Sequence, residues 1–140
     1  MNLILIGILA GVAAAPVWLI TNLLVDFLFL PVILRHRDQL NDVLMARPAM
    51  NFLVLAADVT FWGAVFGAGY GLFYVGLERF GSGGGILWSS FMFVAFSRSI
   101  IESSLWTKVP RDMNMFWFVE GLVGLVAWGA VLGLVFSRLI

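Results

Sequence analysis

Residues 3–34 read LILIGILAGVAAAPVWLITNLLVDFLFLPVIL, an apolar run interrupted only by Pro16, Asn22, Asp26 and Pro31. A helix rises about 1.5 Å per residue and crosses a hydrocarbon core of about 30 Å in roughly 20 residues. This run is longer than that and predicts one long membrane span, tilted or kinked. Water is excluded as the solvent of such a segment, and the chain's composition agrees: 62% of the 140 residues are hydrophobic and 11% are charged. Soluble domains carry about 25% charged residues, which a small protein needs to cover its surface.

The opening stretch, Met1 to Ala15, resembles the apolar part of a secretion signal, with Ala13-Ala14-Ala15 as a cleavage-like site. No Lys or Arg precedes it and the run continues unbroken, so it is read as retained. Beyond Leu34, the segment Arg35 to Pro48 mixes charges with Leu40, Val43 and Leu44 at helical spacing, as in a short amphipathic turn at a membrane surface. A second span is expected over residues 50–77. The series Gly81-Ser82-Gly83-Gly84-Gly85 then reads as a reversal, because glycine runs hold a helix poorly. No Lys-Ser/Thr follows, so it is not a phosphate-binding loop. A third span is expected over 86–106, stopped by Pro110 and its flanking charges, and a fourth over 115–136.

The fold expected is all-α: one polytopic membrane domain over 1–140, four transmembrane helices in an antiparallel bundle. The runs are continuous and do not alternate at period two, which disfavours a closed barrel. Arg35, Arg37, Arg47, Lys108 and Arg111 flank one side of the spans, Arg79 and Arg138 the other. The excess of basic residues in cytoplasmic loops therefore places both termini on the non-cytoplasmic side, in the plasma (bacterial inner) membrane. Trp88, Trp106 and Trp117 suit an interfacial aromatic belt, while Trp18, Trp62 and Trp128 lie deeper and pack or line a cavity.

Charge and residue types exclude several functions. Eight Lys+Arg balance eight Asp+Glu, so the basic footprint of a nucleic-acid binder is missing. There is no cysteine and a single histidine, which excludes disulfides, thiolate nucleophiles and a bis-His haem built by one chain. No catalytic constellation, metal-ligand set or cofactor motif is expected.

Asp26, Asp58, Arg98, Glu102 and Glu120 fall inside the expected spans. A charge near a helix centre costs roughly 2.5–3.5 kcal/mol to insert, so such groups usually face protein, water or one another. Counting about 1.5 Å per residue from the flanking loop charges puts all five about 9–16 Å deep on one side. They are therefore expected to meet as one cluster, with Asn22, Ser97, Ser99 and Ser103 as polar support and Arg98 paired to Glu102 four residues on. The alternatives are a structural ionic lock around Arg98 and interfacial burial of Asp58 and Glu120. His36, between two arginines, reads as a solvated loop residue. Gly7 and Gly11, Gly63 with Gly67 and Gly71, and Gly129 with Gly133 show the four-residue spacing of close helix contacts in lipid. On the second and fourth spans these glycines fall opposite Asp58 and Glu120, which suggests contact with another subunit.

In outline the chain resembles small four-span bacterial membrane proteins, and no motif narrows the resemblance to a family. Two readings of function follow. One is a small membrane subunit that scaffolds or stabilises a larger membrane complex. The other is a homo-oligomeric channel or permease component that binds a proton or cation at its intramembrane carboxylates. An intramembrane enzyme acting on a lipid or quinone is a third class, for which only Asp or Glu with Ser could serve.

Overall fold

Asn2 starts the first helix by accepting a hydrogen bond from the Ile4 amide at 2.9 Å. The computed structural model describes residues 2–38, 48–106 and 110–140, with the backbone alone for 48–51 and 98–106. Helix α1 spans Leu3–Leu28 and passes through Pro16 without a break. It stops at Phe29, where φ is −95° and ψ is 11°, and a short α2 resumes over Leu30–Arg35. Pro31 explains the break: it has no N–H with which to continue the helical ladder, but it fits the first turn of a new helix. The long apolar run is thus kinked. Helix α3 spans Pro48–Leu77, a 3-10 turn covers Glu78–Phe80, α4 spans Gly83–Trp106 and α5 spans Arg111–Leu139.

Among the described residues the chain is all-helical, with no strand. Helices α1, α3 and α5 are long and apolar enough to cross a membrane, and Gly83–Ser97 of α4 forms a shorter apolar helical stretch. Large apolar side chains cover the outside, among them Phe27, Leu28, Val75, Phe91 and Val94. A water-exposed surface of that kind would be an aggregation liability, whereas acyl chains cover it at no cost.

The glycines set the packing. Leu3 meets Gly71, Gly7 meets Gly67, and Gly11 meets Gly63, backbone against backbone. Each step moves four residues down α1 and four back along α3, so the two helices run in opposite directions. A second seam joins α4 to α5, where Gly85 lies against Gly129 and Gly133, and Ser89 lies over Gly129. Without a side chain between them, helix backbones approach closely and gain dispersion contacts that lipid cannot match. The reversal itself needs only Gly81, whose φ of +55° a side chain disfavours. Gly83, Gly84 and Gly85 are helical instead of part of the turn. The contacts of Gly85 with α5, and of Gly84 with Leu77 and Tyr70, offset a helix penalty of about 1 kcal/mol per glycine.

Aromatic side chains fill the centre. Phe66 of α3 touches Trp18 of α1 (centroids 6.2 Å), Phe96 of α4 (5.3 Å) and Trp128 of α5 (6.2 Å), so one ring bridges four helices. Trp128 is wholly buried and its indole N–H donates to the Gly11 carbonyl at 3.1 Å. Trp88 departs from the belt expected of it: it is buried against Gly69 and donates to the Phe66 carbonyl at 2.9 Å.

Candidate functional site

A third seam, between α1 and α5, carries the polar groups. Trp18 faces Trp128 (centroids 6.0 Å), the Asn22 amide oxygen lies against Gly124, and Phe29 faces Phe116 (5.5 Å). Between these rungs the same register sets Asp26 level with Glu120. Each rung lies about one helical turn beyond the last, so Asn22, Asp26, Glu120 and Gly124 outline one patch of the seam. Asn22 is 7% exposed, and its Oδ1 is buried without a hydrogen-bond partner. Asp26 and Glu120 are half-buried.

The seam ends in a charged clasp. The His36 Nε2 lies 3.0 Å from both carboxylate oxygens of Asp112, and Arg35 donates to the same carboxylate at 3.3 Å. A carboxylate only accepts, so the Nε2 carries a proton and donates. That hydrogen bond holds the Asp112 carboxyl below the usual carboxylate range. His36 is therefore not a solvated loop residue; its side chain is 16% exposed and ties α2 to the start of α5. Sequence reading missed Asp112 because it looked like part of a helix stop, and nothing in its spacing points to His36.

The structure brings Asp26 and Glu120 together and leaves Asp58 apart. Following the α1–α3 ladder one turn past Gly11 and Gly63 sets buried Val59 against buried Ala15, and Asp58 level with Pro16. Ten residues, about 15 Å, separate that level from Asp26. Asp58 is exposed, makes no hydrogen bond or ion pair with the described residues, and shares an outward stripe with the exposed Val54, Phe61, Val65 and Leu72. The α1–α3 register thus sets Asp58 at a different height from Asp26.

Ser97 is buried, and its hydroxyl donates to the Val94 carbonyl at 3.1 Å. The side chains of Arg98, Ser99, Glu102 and Ser103 lie outside the described residues, as do Leu40, Val43 and Leu44. The small-residue faces of Gly7, Gly11, Gly63, Gly67, Gly71, Gly129 and Gly133 are covered by other helices of the same chain. They therefore give no reason of their own to invoke a second subunit.

Among the described residues no three His, Cys, Asp or Glu side chains converge as a metal site. No protein-family model matches the chain, and neither the curated proteins nor the solved structures give a match.

Proposed function

We propose that this chain is a small integral subunit of the plasma (bacterial inner) membrane that docks sideways, through the outer face of α3, against a different polypeptide of a larger complex. In this reading α1, α3, α4 and α5 each cross the bilayer in alternating directions, with both termini on the non-cytoplasmic side, as the distribution of Lys and Arg favours. The observation that carries the reading is Asp58, an exposed carboxylate set among Val54, Phe61 and Val65 that makes no hydrogen bond or ion pair with another described residue. Facing acyl chains it would cost roughly 2.5–3.5 kcal/mol, which a donor on a neighbouring helix removes. A second copy offers no cationic donor through the same face. The stripe holds no basic residue, and a two-fold contact would set carboxylate against carboxylate.

The partner is therefore a transmembrane helix with a Lys, Arg, hydroxyl or amide donor at the level of Asp58. Purification in a gentle detergent tests this: wild type co-purifies with a second polypeptide in fixed stoichiometry, Asp58→Asn retains part of it, and Asp58→Leu loses it. A homogeneous particle of this chain alone would refute the proposal. The Asp26–Glu120 pair favours a second reading, a channel or permease component handling a proton or cation. Liposome flux that Glu120→Gln abolishes would support it, and no flux above empty vesicles would refute it.

A further inference from the structure

A groove of about 450 Å³ opens between α3 and α4, lined by Phe73, Gly76, Leu77, Trp88 and Phe91. Its volume lies within the range of about 300–1,000 Å³ in which proteins hold small molecules. Gly76 makes the opening, since a Cβ there would meet nothing within 4 Å. Trp88 makes the wall. Its ring lies on Gly69, and the rings of Phe73 and Phe91 are tilted 30° and 32° from its plane at centroid distances of 5.5 and 6.0 Å. No lining side chain has a free hydrogen-bonding group, because the Trp88 indole N–H is given to the Phe66 carbonyl. A quinone or sugar ring would bury its oxygens against these side chains without donors, whereas a hydrocarbon chain gains dispersion contacts from all three aromatic rings.

The groove also has a charged end. Arg79 follows Gly76 by three residues, just past the end of α3, and its guanidinium carbon lies 4.8 Å from the centroid of the exposed Phe80 ring. Arg79 is exposed and makes no hydrogen bond or ion pair with another described residue. Among the described residues this end of the bundle carries Glu78, Arg79 and Arg138, a net of one positive charge. Phe73 lies six residues before Arg79, about 9 Å deeper along the helix. An anion at the surface joined to hydrocarbon beneath it is the chemistry of a phospholipid, and a guanidinium binds phosphate through charge-assisted, paired hydrogen bonds.

We propose that one phospholipid binds in the α3–α4 groove, its phosphate at Arg79 and one acyl chain along Phe73, Trp88 and Phe91. The site goes beyond the subunit reading and needs neither a partner at Asp58 nor ion movement.

The test is native mass spectrometry of the delipidated full-length chain in detergent, titrated with palmitoyl-oleoyl phosphatidylglycerol and, separately, with the diacylglycerol that carries the same chains and no phosphate. Saturable binding of one phosphatidylglycerol per chain is expected, with the diacylglycerol at least about tenfold weaker for want of the charge-assisted contact. Arg79→Gln should bring phosphatidylglycerol down to the level of the diacylglycerol. Gly76→Leu fills the groove without meeting a neighbour at its Cβ, so it should keep the wild-type unfolding temperature to within a few degrees and weaken both lipids at least about tenfold. Val75→Ala, exposed and outside the groove, should leave binding unchanged. No saturable binding, equal affinity for the two lipids, or wild-type affinity in folded Gly76→Leu would overturn the proposal.

Discussion

Replacing Gly67 by alanine probes the backbone contact that joins α1 to α3. A Cβ at that position would run into the Gly7 carbonyl oxygen and lie 3.0 Å from both the Gly7 carbonyl carbon and the Gly11 Cα. Each of these is backbone of the facing helix, so no side chain can rotate aside. Ordinary contact begins at 3.4 Å, so the helices must separate by at least 0.4 Å at Gly11 and by more at Gly7. Overpacking of this kind costs about 1–3 kcal/mol, against a helix-propensity gain of up to about 1 kcal/mol. The net expectation is a loss of up to about 2 kcal/mol. Gly76→Ala is the control, because a Cβ there meets nothing within 4 Å. It keeps the propensity gain, which sets the two variants about 2 kcal/mol apart. Unfolding in mixed micelles of a mild detergent and increasing dodecyl sulfate, followed by tryptophan fluorescence, measures the difference. Equal stability of Gly67→Ala and Gly76→Ala would refute the close approach of α1 and α3.

Trp128→Phe removes the indole donor to the Gly11 carbonyl and opens a small cavity, so the same titration should show a loss of about 2 kcal/mol. Asn22→Leu replaces a buried amide that lacks a partner; it should match or exceed wild-type stability by about 1 kcal/mol, and a clear loss would show that the amide is satisfied in solution. Because the His36 hydrogen bond lowers the Asp112 pKa in the folded state, its stabilisation is present above the unfolded carboxylate value of about 3.9 and is lost as pH falls through the lower folded value. Thermal unfolding followed from neutral pH into acid should therefore show wild type more stable than His36→Ala near neutrality and the two converging in acid. A constant gap would contradict the clasp.

The sequence makes the helices legible and leaves their partners undetermined. Unbroken apolar runs locate α1, α3, α4 and α5, and Pro31 marks the kink, because composition and proline act locally. The four-residue glycine spacing identifies close-contact faces, yet periodicity cannot say which helix covers them. Gly63, Gly67 and Gly71 close on Gly7 and Gly11 of their own chain, not on a neighbour. Depth counting takes helices to begin at equal heights, and only the register between helices, set by tertiary contacts, places Asp58 level with Pro16 and Asp26 level with Glu120. The Gly83–Gly85 helix and the burial of Trp88 were hidden for the same reason: tertiary contacts with α5 and α3 override local preference. The orphaned oxygen of Asn22 depends on Gly124, a residue more than a hundred positions away.

The lateral docking of α3 is tested most directly by native mass spectrometry of the particle released from its own membrane in lipid nanodiscs, comparing wild type with Asp58→Leu. The account predicts a wild-type mass of this chain plus a different polypeptide at fixed stoichiometry, and the free chain alone in the variant. A wild-type particle made only of this chain, or a complex that Asp58→Leu leaves intact, would contradict it.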